Sequence, residues 1–245
     1  YSSAASDVYK RQEIDHAVFA REAAEEGIVL LKNEGLLPLK KDTKIALLGI
    51  GAEKTIKGGT GSGDVNNRES VSIYAGMKEK NAGIVSEEWL KDYHNRYEQA
   101  RKEWKEQILE AAKHVDNPFD AYAANPFAMP DGRAVTNEDI KAAEVAVYVI
   151  SRISGEGKDR RKRKGDYYLS DQEEKDLYFL NEQKIPTVLI INAGGPVELT
   201  DLLAGTENIC AILNISQLGQ EGGNAVADIS VSYTHLRAHE TPEHL

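Results

Sequence analysis

Four short apolar runs recur along the chain: KIALLGIG (44–51), EVAVYVIS (144–151), IPTVLIIN (185–192) and NICAILNI (208–215). Runs of that length, rich in Ile and Val and without strict alternation, predict strands buried on both faces. Helical spacing fills the gaps between them. Residues 16–31 place Val18, Ala20, Ala24, Ile28 and Leu31 at helical intervals, with Asp15 as the N-cap and Asn33-Glu34-Gly35 before Pro38 as the stop. Residues 86–114 place Trp89, Tyr93, Tyr97, Ala100, Trp104 and Ile108 three or four apart, which predicts one long helix starting near Ser86. Its aromatic stripe reads as a packing face, with sugar stacking as the alternative. Residues 115–135, with Pro118, Pro126, Pro130 and Gly132, read as a loop. Ser170-Asp171-Gln172-Glu173 is a capping box opening a helix to about Gln183. Shorter helices follow around Val197–Leu203 and from Asn224.

Strand, glycine-bearing loop and helix thus repeat. That order predicts an α/β fold: a three-layer α/β/α sandwich with a mostly parallel sheet, plus a long helical insertion over 86–135. The loops 51–64, 152–169, 193–196 and 216–223 all follow strands. They gather at one sheet edge, where open α/β folds bind ligands.

The two ends lack any such period. Val8 to Gln12 can be coded GTG TAT AAG AGA CAG, and the opposite strand of that string, read in another frame, gives Val231-Ser232-Tyr233-Thr234 and the start of a His codon. Residues 1–12 and 230–245 are therefore expected to be translated adaptor sequence, the first of them disordered, flanking one domain at 13–229.

Composition narrows the class. Thirty Lys and Arg face forty Asp and Glu, a net charge of −10, which argues against nucleic acid or an anionic membrane as partner. A single cysteine, Cys210, excludes a disulfide framework, and its place inside an apolar run predicts an inert core thiol. No run of about 18 apolar residues occurs. No apolar leader segment opens the chain, so the compartment stays unassigned, with the cytoplasm the mild preference. His16, His94 and His114 fall on predicted helices without an H-E-x-x-H pattern, and neither a metal nor a cofactor is expected.

Two loops carry the candidate chemistry. Lys57-Gly58-Gly59-Thr60-Gly61-Ser62-Gly63-Asp64 lacks the Lys that ends a phosphate-binding P-loop and the third glycine of a dinucleotide fingerprint, and Asp64 would repel phosphate. Its glycines suit close backbone approach to a neutral polar ligand or to another domain. Ser154-Gly155-Glu156-Gly157 sets a carboxylate between two glycines just past a strand end, with Asp159 and Arg160 close behind and a basic run to Lys164. From spacing alone this is either a catalytic carboxylate or a solvated basic loop. One carboxylate is half of a glycosidase pair, since retaining enzymes need two about 5–5.5 Å apart.

REAAEEGIVLLKNEGLLPL (21–39), KGGTGSGDV (57–65), VISRISGEGKDR (149–160), KGDYYLSDQE (164–173), INAGGPVEL (191–199) and ISQLGQEGGNAVAD (215–228) together resemble the C-terminal-type α/β-sandwich domain of glycoside hydrolase family 3, the β-glucosidase and β-xylosidase type. The resemblance implies a fragment of a retaining exo-β-glycosidase that removes terminal non-reducing β-D-glycosyl residues from an oligosaccharide or other β-glycoside. It implies Glu156 as general acid/base, and Gly58, Gly59, Thr60, Asp159 and Arg160 as substrate-side residues. It places the Asp nucleophile on a separate (β/α)8 barrel, the expected partner domain. No S-D-W-type nucleophile motif occurs in 1–245, so the fragment alone is expected to be inactive. The long insertion and the G-T-G-S-G-D form resemble members in which the sandwich precedes the barrel. Two other classes remain open: a non-catalytic carbohydrate-binding or interaction domain, and a nucleotide-binding α/β module.

Overall fold

The run at 145–152 becomes the centre of the sheet. A computed structural model describes residues 2–61, 67–80, 82–155 and 159–231, with side chains from Lys10 onward. Six strands form one sheet: β1 (Val29–Asn33), β2 (Lys44–Leu48), β3 (Gly83–Ile84), β4 (Val145–Arg152), β5 (Thr187–Ala193) and β6 (Ile209–Asn214). Their order across the sheet is β1-β6-β5-β4-β2-β3, parallel except for the β1–β6 pair. Every residue of β4 and of β5 is buried. That explains why these strands read as unbroken apolar runs: each has helices on both faces. Burying one Ile or Val there contributes about 1.5–3 kcal/mol.

The helices are α1 (Ser2–Glu26), α2 (Ile50–Glu53), α3 (Ile73–Glu79), α4 (Glu87–Ala111), α5 (Pro118–Ala124), α6 (Asn137–Ile140), α7 (Asp171–Glu182), α8 (Thr200–Gly205) and α9 (Gly222–Val231). From β2 the chain crosses through α3 to β3 on one side. From β4 it crosses through α7 and α8 to β5 and β6 on the other. Right-handed crossovers in opposite directions put α3 and α7 on opposite faces. α1, α3 and α9 pack together, while α7 packs on β4. The direction of winding reverses between β2 and β4, and the carboxyl ends of those strands are where such sheets bind ligands.

The insertion also follows its pattern. α4 continues into a 3-10 turn at Ala112–His114. Trp89 and Tyr93 are fully buried and stacked, with ring centroids 5.9 Å apart, and the Trp89 indole donates to the Arg133 carbonyl at 3.0 Å. This end of the stripe is a packing face. The capping box also forms: the Ser170 hydroxyl accepts from the Glu173 amide at 3.2 Å, and the Glu173 carboxylate accepts from the Ser170 amide at 2.8 Å.

Several expectations change. The first helix ends at Glu26 rather than Leu31, because residues 29–33 pair with β6. Gly27 interrupts the helix, and the open edge of β6 offers main-chain partners that a helix end cannot match. Val18 and Leu31, expected on the apolar face, are 54% and 58% exposed. α1 runs back to Ser2, which leaves Asp15 inside the helix rather than capping it. Elongating an existing helix gains one hydrogen bond per residue fixed, and this Ser- and Ala-containing stretch has no breaker. Residues 115–135, read as loop, contain α5, with Asn117 as its N-cap and Pro118 at the first position, where a missing N–H costs nothing. Ser86 does not cap α4; its hydroxyl donates to the Leu47 carbonyl at 2.8 Å.

Candidate active site

One amide side chain holds the loops at the carboxyl edge together. Asn192, fully buried near the end of β5, accepts on Oδ1 from the Ile56 amide at 2.6 Å and the Ser151 hydroxyl at 2.9 Å. Its Nδ2 donates to the Ile56 carbonyl at 2.9 Å and the Ser216 carbonyl at 2.7 Å. Both ends of the amide are satisfied. The segment after β2, the end of β4 and the segment after β6 therefore share one anchor.

Around that anchor the two glycine loops touch. Thr60 and Gly155 form an isolated parallel bridge, with the Thr60 amide donating to the Ser154 carbonyl at 3.3 Å. The approach needs glycine, since a Cβ on Gly155 would lie 2.2 Å from the Thr60 nitrogen. Behind it, the Gly219 amide donates to the Lys57 carbonyl at 2.8 Å. Gly58 and Gly59 thus run between two main-chain ties, one to each neighbouring loop. Gly194 closes the cluster: a Cβ there would sit 2.7 Å from the Ser154 hydroxyl oxygen and 3.1 Å from Gln217 Oε1. Thr60 Oγ1 and Gln217 Nε2 are buried here and have no hydrogen-bond partner among the described residues. Buried polar atoms with unused capacity are uncommon and call for an explanation.

The stem of the 152–169 loop is held by charge. Arg152, buried at the end of β4, forms a two-pronged pair with Glu173 of α7, Nη1 to Oε1 at 2.7 Å and Nη2 to Oε2 at 2.5 Å, and its Nε donates to the Asp166 carbonyl at 2.9 Å. Such planar charge-assisted pairs fix geometry as well as charge. Arg160 makes the outer clamp. It pairs with the Asp166 carboxylate and donates to the Asp166 carbonyl at 2.6 Å and the Pro196 carbonyl at 3.2 Å. Burial pushes the Asp166 carboxyl up, but the Arg161 amide and the Arg160 guanidinium more than offset it and hold it below the usual carboxylate range. The Tyr167 hydroxyl reaches Glu198 at 3.1 Å and adds a tie to the segment after β5.

Of the residues singled out from sequence, Gly58, Gly59 and Thr60 lie at the loop cluster, beside Gly155. Arg160 is committed to Asp166 and main-chain carbonyls. Asp159 is exposed. Glu156, with Gly157 and Lys158, and Ser62 to Asn66 of the other loop, lie outside the described residues. Sequence reading missed Asn192, because a lone Asn at a strand end has no motif. It used Glu173 only as a cap and passed over Arg152, whose partner lies 21 positions away. An Arg ending an otherwise apolar strand was the available signal, since a buried guanidinium demands a carboxylate. The histidines stay apart: His94 pairs with Glu53 at 2.8 Å, and His16 and His114 are exposed. Cys210 lies in β6 with its thiol 3.4 Å from the Asn208 carbonyl.

A doubly wound α/β sandwich, with glycine loops meeting at the reversal of its sheet, defines the class: an open α/β domain whose loops gather at the carboxyl edge of the sheet. Comparison with known proteins makes it specific. The profile of the Glycosyl hydrolase family 3 C-terminal domain matches residues 28–232, and the chain belongs to that family. It is 29% identical over 237 residues to Beta-glucosidase A of Butyrivibrio fibrisolvens, covering 87% of this chain and 27% of that protein. It is 31% identical to the Periplasmic beta-glucosidase of Salmonella typhimurium, over 87% of this chain and 26% of that one. Among solved structures, beta-glucosidase 3B of Thermotoga neapolitana in complex with alpha-D-glucose superposes with a TM-score of 0.70 at 36% identity, covering 89% of this chain and 29% of that one. The chain spans a little over a quarter of the length of these relatives and aligns with one part of each.

Proposed function

We propose that this domain supplies the general acid/base of a retaining exo-β-glycosidase acting on terminal non-reducing β-D-glycosyl residues, and that the acid/base is Glu156. The nucleophile would be an Asp on a (β/α)8 barrel outside this chain, with the scissile bond held at the seam between the two. The observation that carries the reading is the Thr60–Gly155 bridge, which ties the two glycine loops together immediately before Glu156. In the first step the Glu156 carboxyl gives its proton to the glycosidic oxygen as the bond to the anomeric carbon breaks. In the second its carboxylate takes a proton from the water that attacks the glycosyl-enzyme. The chain's other residues position that carboxyl. Arg152 and Glu173 hold the stem of its loop, Arg160 and Asp166 hold the outer turn with Asp159 at its start, and Gly58, Gly59 and Thr60 form the wall on the leaving-group side. Thr60 Oγ1 and Gln217 Nε2, buried at the loop cluster and without a hydrogen-bond partner among the described residues, leave polar capacity to spare where the loops meet. The beta-glucosidase names of the relatives support the reaction class. In this reading the chain turns over substrate only together with the barrel that carries the Asp.

The test uses the polypeptide that carries this domain together with its barrel. Glu156→Gln lowers cellobiose turnover by about 10²–10⁴-fold. Azide restores turnover of an activated aryl β-glucoside and yields a β-glycosyl azide, because the intact nucleophile still forms the intermediate. Unchanged turnover, or products unaffected by azide, would remove Glu156 from the role and leave a carbohydrate-binding domain.

A further inference from the structure

Beyond Tyr93 the insertion leaves the body of the domain. α4 is 25 residues long, yet its buried residues are Trp89, Leu90 and Tyr93, all in its first two turns. From His94 through Ala124 the only buried residue is Ala121. The 18 residues of α4 after Tyr93 reach about 27 Å at 1.5 Å per residue. α5 folds back along them: the Trp104 indole donates to the Asn125 carbonyl at 2.7 Å, and Gln107 Nε2 donates to Asn125 Oδ1 at 3.1 Å. α4, the 3-10 turn and α5 thus form a helical hairpin whose arms pack on each other.

The tip of this hairpin is apolar where solvent should make it polar. Leu109 and Phe119 are 68% and 66% exposed, and Val115 and Tyr122 are exposed beside them. These are four of the eleven large exposed apolar side chains among the described residues, within fourteen positions. Single exposed apolar residues are ordinary, but a cluster marks a surface that meets something. The rings are held in place: Phe119 stacks on Tyr122 at 6.0 Å, and Tyr122 stands edge-on to Trp104 at 5.7 Å. Rings already fixed lose little freedom on being covered. Charges of both signs flank them. Lys105 on α4 and Asp116 at the tip have no ion-pair partner among the described residues.

Leu109 and Val115 offer a sugar neither a flat ring face nor a hydrogen-bonding group. Asp116 at the tip and the net charge of −10 oppose an anionic membrane surface. A second copy of this chain satisfies both the apolar cluster and the unspent charges. In a two-fold pair each hairpin meets its own image antiparallel, so the apolar set covers itself. Lys105 and Asp116 lie on either side of Leu109–Ala112, and a two-fold axis there brings Lys105 of each copy to Asp116 of the other. We infer that the hairpin 94–124 is a self-association surface, through which two copies pair antiparallel on Leu109, Val115, Phe119 and Tyr122, with Lys105–Asp116 ion pairs across the axis. This pairing is independent of the Glu156 reading.

Sedimentation velocity tests it. The 245-residue chain, 27.0 kDa as a monomer, doubles in mass as its concentration rises to about 0.1 mM, as expected of a small interface burying under about 1,200 Å². Phe119→Asp keeps the chain monomeric at that concentration with an unchanged circular dichroism spectrum, since the ring it replaces is exposed. Asp116→Lys weakens association by about tenfold, and adding Lys105→Asp restores it, because the reversed charges then match across the axis. Phe19→Ser, which removes the exposed ring of α1, leaves association unchanged. The same dimer forms in the polypeptide that carries the barrel. A monomer at the highest concentration, a dimer that survives Phe119→Asp or is lost with Phe19→Ser, or a double reversal that fails to restore association would each overturn the inference. So would a dimer absent from the barrel-bearing polypeptide, which would mean that the barrel covers the hairpin.

Discussion

Replacing Asn192 by Ala removes four hydrogen bonds at once. It leaves the Ile56 amide, the Ile56 and Ser216 carbonyls and the Ser151 hydroxyl without their partner in a fully buried position. A net hydrogen bond contributes about 1 kcal/mol, and an orphaned buried group costs about 1–3 kcal/mol. Water entering the vacated space recovers part of this. The expected loss is about 3–5 kcal/mol, at the high end for a single substitution. With a urea m-value of about 2–3 kcal/mol/M, the midpoint falls by roughly 1–2.5 M. Urea unfolding followed by circular dichroism measures it on the 245-residue chain. Amide exchange adds a local readout, because the Ile56 N–H loses its acceptor and should exchange far faster than amides of β4. A midpoint shift below about 0.3 M, with Ile56 still protected, would refute the idea that this amide fastens the three loops.

Two further expectations follow from the same site and its support. Gly155→Ala would set a Cβ 2.2 Å from the Thr60 nitrogen, so the two loops must part; Thr60 amide exchange should rise by about tenfold or more while the unfolding midpoint barely moves, and unchanged Thr60 protection would contradict the bridge. Asp176, which accepts from the Val135 amide at 2.9 Å and the Tyr148 hydroxyl at 3.1 Å, is pushed above the usual carboxylate range by burial. Its unfolded value is about 3.9, so the native chain binds this proton more tightly. The resulting stabilisation is complete below that value and is lost as pH rises through the raised native value. Asp176→Asn removes that dependence, so stability relative to wild type should improve for the variant as pH climbs from 4 toward 7; a pH-independent difference would count against the shift.

Much of the layout was legible because burial on both faces leaves a one-dimensional trace. The runs predicted at 44–51, 144–151, 185–192 and 208–215 became β2, β4, β5 and β6 with boundaries moved by a few residues. The capping box at Ser170–Glu173 formed as its spacing required, since its bonds are local. The segments missed were those decided by a distant partner. Residues 29–33 satisfy helical spacing well enough, and only the edge of β6 selects the strand. β3 is two residues long and exists because β2 has an edge to offer. The exposed apolar positions of α1 show the reverse error, a period that no neighbour buries.

For the candidate site the division is similar. Glycines flanking a carboxylate, and a second glycine loop after another strand, could be seen as residue types in order. Their meeting could not, because it depends on parallel registers across β2, β4, β5 and β6 that bring residues 56, 60, 151, 155, 192 and 216 together. By itself the sequence determined the layers, the parallel sheet and the family, since apolar periodicity and ordered motifs are properties of the chain. Only the tertiary structure decided that Asn192 fastens the loops and that Arg152 is paid for by Glu173. Each of these is a pairing across long sequence separation, and local residue order does not encode which buried donor finds which acceptor.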